Sequence, residues 1–254
     1  MEAQVQRLVE KTWEKYQQTP PSQRLLIAIS GIPGSGKTTL AITVAQRLNQ
    51  RQLQEQEVLP SDFNPPPPIA AAVPMDGYHL SRAQLSAMPD PRTAHARRGA
   101  AFTFNGQAFL ILVQQLREPI HATSGTLYAP SFDHALKDPV ADDIAIPATS
   151  RILLFEGNYL SLSKTPWKEA AALMDELWFV EVDFEVARQR LVRRHVKAGI
   201  APDLAAAHVR VTESDLVNGQ EIVNHRLQQI HEMIVSQDDE MWRPEYQGSA
   251  LVGV

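Results

Sequence analysis

Short unbroken apolar runs alternate along this chain with stretches in which apolar residues recur every three or four positions. Runs of the first kind predict buried strands, and spacing of the second kind predicts helices. Strands are expected at Leu25–Ser30 (LLIAIS), Ile69–Met75, Arg151–Phe155 and Leu177–Val182. Helices are expected at Thr38–Leu48, Gly106–Arg117 and Phe184–Lys197, with one or two more between Ala201 and His231. Val5, Leu8, Trp13 and Tyr16 fall near helical spacing and predict an amphipathic leading helix over about residues 1–18. Strands that alternate with helices make a parallel sheet covered on both faces, a three-layer α/β architecture. In such sheets ligands sit beyond the carboxyl ends of the strands.

Two stretches interrupt the pattern. Gln50 to Pro68 is rich in glutamine and ends in four consecutive prolines. Proline lacks an amide donor and favours extended chain, so a surface insertion is expected here. A ligand for a proline-recognising partner is the alternative. Residues 88–134 show little periodicity outside the Gly106–Arg117 helix. Their loops carry Arg97, Arg98, Phe102, Phe104, Tyr128, Phe132, Asp133 and His134. Aromatic, arginine and histidine side chains in loops suit recognition of a polar small molecule. The three phenylalanines read more simply as core.

Composition narrows the classes. The 254 residues are 44% hydrophobic and 21% charged, which is enough apolar surface for one packed domain and excludes disorder throughout. The absence of cysteine excludes a disulfide scaffold and fits a reducing compartment. With no cysteine and no histidine pair at ligand spacing, a structural zinc site is not expected. A formal charge of −5 argues against nucleic acid as the main partner. No apolar run approaches the roughly 20 residues that span a bilayer, and the first residues lack a signal-peptide pattern. A cytoplasmic protein without a membrane partner is the expectation.

The LLIAIS run leads directly into Gly31-Ile-Pro-Gly-Ser-Gly-Lys37-Thr38, which fits G-x-x-x-x-G-K-[ST] at every fixed position. Gly31, Gly34 and Gly36 let the backbone turn its amides toward phosphate oxygens. The helix that starts here adds its positive end. Lys37 reaches the terminal phosphates, and the Thr38 hydroxyl suits Mg²⁺. Gly31, Ile32, Pro33, Gly34, Ser35, Gly36, Lys37, Thr38 and Thr39 are therefore the candidate nucleotide-binding residues. The motif reports triphosphate binding and is silent on the use made of it.

Asp76 follows the second strand and Glu156 the RILLF run, so both are expected at the sheet edge that carries the phosphate loop. Phosphoryl transfer to a hydroxyl needs one carboxylate to accept the proton and another to organise Mg²⁺. Asp76 is assigned as base and Glu156, with Thr38, as the metal-organising group. Asp76 lies in Asp-Gly-Tyr-His and Glu156 in Glu-Gly-Asn-Tyr, and each glycine is read as leaving room for a ligand. Tyr78, His79, Asn158 and Tyr159 become candidates for substrate contact, although both tyrosines could equally pack under the loops. Arg98, Tyr128 and His134 join them from the middle segment.

After Asp183 a basic helix places Arg190, Arg193, Arg194 and Lys197 on one broad face, while Leu191 anchors another. A cationic face beside a triphosphate neutralises charge on the moving phosphoryl group and can close over it. Arg193 and Arg194 are the leading candidates for that role, with Arg190 at the nucleotide. A solvated surface helix is the plain alternative.

The ordered series GIPGSGKT, MDGYHLS, RRGAAFTFN, YAPSFDHALKDP, LLFEGNYL and RQRLVRRHVKAG resembles the uridine kinase, phosphoribulokinase and pantothenate kinase superfamily. It is most similar to the nucleoside-kinase-like group that includes fructose-transport-associated kinases and related fungal proteins. The resemblance spans roughly residues 25–230. It implies a P-loop NTPase fold with a helical lid and an ATP- and Mg²⁺-dependent kinase with a small hydroxyl-bearing acceptor. It also implies that Asp76 is the base, Glu156 sits at metal or substrate, Arg193 and Arg194 belong to the lid, and Tyr128 and His134 lie in the acceptor segment. Gly-Tyr-His after the aspartate, in place of the Ser-Phe-Tyr usual in uridine kinases, leaves nucleoside, sugar and pantothenate-like alcohols open. A GTPase-like regulatory NTPase is disfavoured by the lack of an N-K-x-D motif, and a nucleotide-binding module without catalysis is the third reading.

Overall fold

The structure, a computed structural model, describes residues 1–56 and 66–237. In chain order it contains α1 (Glu2–Gln18), β1 (Leu25–Gly31), α2 (Lys37–Gln56), β2 (Ala70–Pro74) and a 3₁₀ turn at Met75–Tyr78. Then come α3 (Arg82–Ser86), α4 (Pro91–Ala96), a 3₁₀ turn at Ala101–Thr103, α5 (Gly106–Arg117), β3 (Leu127–Asp133) and β4 (Asp138–Ile146). The chain continues with β5 (Ile152–Glu156), α6 (Trp167–Ala171), β6 (Glu176–Glu181), α7 (Phe184–Lys197) and α8 (Leu204–Arg210). A π turn at Val211–Asp215, α9 (Leu216–Asn224) and β7 (Glu232–Val235) complete it.

Among the described residues, five strands form one parallel sheet in the order β2-β5-β1-β6-β7. The apolar runs produce this because each strand is buried on both faces, and the strand period of two sends alternate residues to opposite layers. Leu25, Ile27 and Ile29 of β1, Ile152 and Leu154 of β5, and Trp178 and Val180 of β6 pack under α1 and α2. Leu26 and Ala28, Leu153 and Phe155, and Leu177 and Phe179 pack on the other face with α5 and Trp167 of α6. A smaller cluster of Leu191, Val192, Ala201, Ala207 and Val211 joins α7 to α8. Among the described residues no helix is long and apolar enough to cross a membrane.

The expected strands and the Gly106–Arg117 and Phe184–Lys197 helices are present to within a residue or two. Two expectations change, while the stretch from Ala201 to His231 holds two α-helices, as expected. Helix α2 runs on to Gln56, because Gln, Arg, Leu and Glu are good helix formers and no Gly or Pro intervenes. The expected insertion from residue 50 thus begins as helix, and its residues 57–65 lie outside the described residues. The middle segment holds an antiparallel β3–β4 hairpin, which its two prolines and mixed exposure concealed. The stretch from Ala201 to His231 contains α8, the π turn and α9, and is followed by the four-residue edge strand β7.

Candidate active site

Register alone brings the proposed chemistry to one rim. Glu156 ends β5 and pairs with Ile29 of β1 on one side and Pro74 of β2 on the other. Asp76 follows Pro74 by two residues, inside the 3₁₀ turn. The phosphate loop leaves β1 just beyond Ile29, so the loop, Asp76 and Glu156 emerge from three adjacent strands at their carboxyl ends.

The loop closes on itself. Gly34 and Gly36 hold φ of +80° and +92°, a region costly to residues with a Cβ. Lys37 is buried, and its Nζ donates to the Ile32 carbonyl at 3.0 Å. Burial pulls the Lys37 ammonium down to about 8, while Glu156 and Asp76 push it back up and Arg194 pulls it further down. Glu156 is likewise buried and is raised to about 7. Burial is the main cause and the Asp76 charge adds to it, while Lys37, a hydrogen bond with Thr38 and Arg194 act in the opposite sense. The four groups therefore share one field. A polyphosphate would raise Lys37, and a divalent cation would ionise Glu156, so the resting charges suit such ligands.

Asp76 is half-buried, and its carbonyl receives His79 Nδ1 at 2.8 Å. The His79 ring stacks near Phe104 (centroids 4.0 Å apart) and Phe132 (4.9 Å), and Phe132 meets His134 at 5.2 Å. Burial holds His79 low; Asp76 opposes this, and Arg98 and His134 reinforce it. Asp76, His79, Arg98 and His134 are thus brought near one another, along with Phe132, which the core reading had set aside. Phe104 is core as expected, whereas Phe102 is 48% exposed.

Several predicted residues have a structural part as well or instead. Arg98 donates to the carbonyls of Lys137 (2.6 Å) and Leu80 (3.0 Å) and to Asp138 (3.1 Å), so its guanidinium pins the hairpin. Tyr78 and Tyr128 line a groove of about 350 Å³ with Ile111 and Gln115, which Asp76, Glu156 and Lys37 do not line. Tyr159 is fully buried and donates to the Gly99 carbonyl at 2.7 Å. Burial pushes the Tyr78 and Tyr159 hydroxyls up, which keeps them neutral. Asn158 is half-buried and makes no side-chain hydrogen bond among the described residues.

The glycines after the two acids do not make room for a ligand. A Cβ on Gly77 would overlap the Pro130 carbonyl, and one on Gly157 would overlap the Met75 side chain. The room is filled by the hairpin and by the turn that carries Asp76. Both acids are thereby packed into the body of the protein.

Helix α7 starts at Asp183, whose carboxylate accepts from the amides of Glu185 (2.8 Å) and Val186 (3.2 Å). Its basic face divides. Arg190 donates to the Gly34 carbonyl (3.2 Å), Ser236 Oγ (2.9 Å) and the Gln237 carbonyl (3.1 Å), and so braces the loop. The Arg194 charge is felt at both Lys37 and Glu156. Arg193 is exposed and makes no hydrogen bond or ion pair among the described residues. Sequence reasoning missed Asn218, which accepts from Arg97 Nη2 at 2.8 Å, and His195, which bonds Asp215. Asn218 falls in no motif with a chemical reading, and His195 lies in the basic-helix series, which was read for its arginines and lysine rather than for its histidine.

A model described as the phosphoribulokinase/uridine kinase family matches residues 26–218. The chain is 61% identical over 160 residues to an ATP-dependent kinase-like protein, notR', of Aspergillus versicolor, covering 63% of this chain and 92% of that one. It is 40% identical over 196 residues, 77% of each chain, to a protein of Schizosaccharomyces pombe whose name gives it as a candidate uridine kinase. Among solved structures, one named as a candidate fructose transport system kinase from a Silicibacter species superposes with a TM-score of 0.73 at 30% identity, covering 90% of this chain and 98% of that one. YFH7 of Saccharomyces cerevisiae shares the fold, with a TM-score of 0.77 at 23% identity over 92% of this chain and 99% of that one.

Proposed function

Because the chain belongs to the phosphoribulokinase/uridine kinase family of P-loop kinases, we propose that it transfers the γ-phosphoryl group of ATP to a hydroxyl of a small metabolite. The observation that carries this reading is the common field of Lys37, Asp76 and Glu156 at the carboxyl rim of β1, β2 and β5.

The phosphate loop holds the triphosphate through its amides, and Lys37 neutralises the terminal phosphates. Asp76 accepts the proton of the acceptor hydroxyl as its oxygen bonds to the γ-phosphorus. The bond from that phosphorus to the β–γ bridging oxygen breaks, and ADP leaves with the electron pair. Arg194 offsets charge on the phosphoryl oxygens. Thr38 and Glu156 fit Mg²⁺: one hydroxyl and one carboxylate, close enough for Thr38 to lower the Glu156 carboxyl, are all-oxygen donors. Among the described residues there is no group of three or more metal-ligating side chains, and Mg²⁺ held with substrate phosphates needs only one or two carboxylates. When bound, Mg²⁺ would draw charge from the β- and γ-phosphates. On the acceptor side, His79, Phe132 and His134 present a mixed aromatic and hydrogen-bonding wall beside Asp76.

The test is ADP release from the purified protein with Mg²⁺-ATP and panels of nucleosides, sugars and vitamin alcohols. Release stimulated by one acceptor class supports the proposal. Slow release independent of every acceptor points to a regulatory NTPase, and nucleotide binding without release to a module that only binds.

A further inference from the structure

Residues 215–219, where the π turn passes into α9, meet three parts of the molecule. Asp215 Oδ2 accepts from His195 Nε2 at 2.7 Å. His195 is 2% exposed and directly follows Arg194 on α7. Asn218, also 2% exposed, accepts from Arg97 at 2.8 Å and so ties α9 to the segment before Gly99. A Cβ on Gly219 would lie 3.4 Å from Ile32 of the phosphate loop and 3.3 Å from Phe184 at the start of α7. Among the described residues the His195 ring makes no second bond to hold it: its Nδ1 is buried without a partner. π turns within helices often mark functional positions, because the extra residue re-aims the side chains around it.

The α9 turn is thus fixed to the body by Asn218 and Gly219, and Asp215 transfers that reference to α7 through His195. Helix α7 abuts the phosphate loop: Arg190 donates to the Gly34 carbonyl, and a Cβ on Gly34 would meet Ala187 and Leu191. Arg194 is exposed and lies one helical turn on from Arg190, on the same face of α7. A long side chain on a helix reaches a target only while the rotation of that helix is held. We propose that His195 and Asp215 are positioning residues that hold α7 in the rotation from which Arg194 meets the terminal phosphate of bound nucleotide. The inference rests on the phosphoryl-transfer reading of the site. It concerns Arg194 alone and does not involve the base.

The test compares affinities for fluorescent mant-ATP and mant-ADP, each with Mg²⁺, because only ATP carries the phosphate that Arg194 addresses. Arg194→Ala should weaken mant-ATP about tenfold and change mant-ADP by less than about twofold. Asp215→Ala and His195→Gln should shift the ratio the same way, and Asp215→Asn should restore part of it. Asp215→Ala placed on Arg194→Ala should add nothing, since both remove one interaction. Thermal unfolding checks that each variant is folded, and His195→Gln serves if Asp215→Ala is not. Equal weakening of both nucleotides, additive losses, no effect of the Asp215 and His195 variants, or no effect of Arg194→Ala would overturn the clasp and leave the kinase proposal standing. A wild-type chain that binds neither nucleotide would instead remove the phosphate-loop reading, and the clasp with it.

Discussion

Lys37 combines the burial of a core residue with the charge of a surface one; Glu156 and Asp76 offset part of that cost, and an anionic ligand would offset more. Lys37→Ala should therefore abolish phosphoryl transfer, as measured by ADP release. Asp76→Asn keeps the size of the side chain and removes its basicity. It should lower turnover by about 10²- to 10⁴-fold and leave mant-ATP affinity within a few-fold of wild type. A collapse of nucleotide affinity would make Asp76 a metal or structural group instead. At this scale the phosphate loop and the two acids were legible, because motif spacing and strand ends identify them without tertiary knowledge. Gly77 and Gly157 were misread, since the residue type reports that space is needed but not what fills it: Pro130 and Met75 fill it here. Arg193 and Arg194 look alike in sequence, and only their position on α7 relative to the loop, one turn from Arg190 for Arg194, separates them.

Among the elements, α1 is held to the sheet by charge as well as by Val5, Leu8 and Trp13. Lys11 bonds Glu176 and Glu232 at 2.8 Å each, Lys15 bonds Glu176 at 2.6 Å, and Arg7 bonds Glu232 at 2.8 Å. Gln4 pairs both ways with the backbone of Val235, which covers the edge strand β7. Burial alone would raise both carboxyls, but their cationic partners outweigh it and hold Glu176 and Glu232 below the usual range. A carboxyl lowered by folding stabilises above its unfolded pKa of about 4.3, and that contribution is lost as the pH falls through its folded value. Glu176→Gln should destabilise the protein by about 2 kcal/mol at pH 7 in denaturant unfolding. The gap from wild type should shrink below about pH 4, as the wild-type carboxyl itself takes up a proton. The amphipathic pattern predicted α1, but no local signal paired Lys11 with residues 165 and 221 positions away. The hairpin was hidden for a related reason. Pro130 and Pro139 weaken the strand pattern, and pairing across the bulge and packing on Gly77 supply what the pattern lacks.

For the whole molecule, the consequence of a shared rim is that nucleotide should stabilise the folded chain. At one hundred times its Kd, Mg²⁺-ATP should add about 2.7 kcal/mol. In a thermal melt this is a rise of roughly 5–10 °C for a chain of this length, and Lys37→Ala should remove it. The sequence by itself determined the layers, the parallel sheet, the phosphate loop and the strand ends that carry Asp76 and Glu156. These depend on local periodicity and on residues within a few positions of one another, and burial enforces them. The tertiary structure alone decided that His79 gathers with Phe132 and His134, that Arg98 holds the hairpin, and that Arg190 braces the loop at Gly34. It also decided that Asp215 reaches His195. Each of those outcomes depends on where one element packs against another distant in the chain, and the residue types at either end are compatible with many partners until the fold selects one.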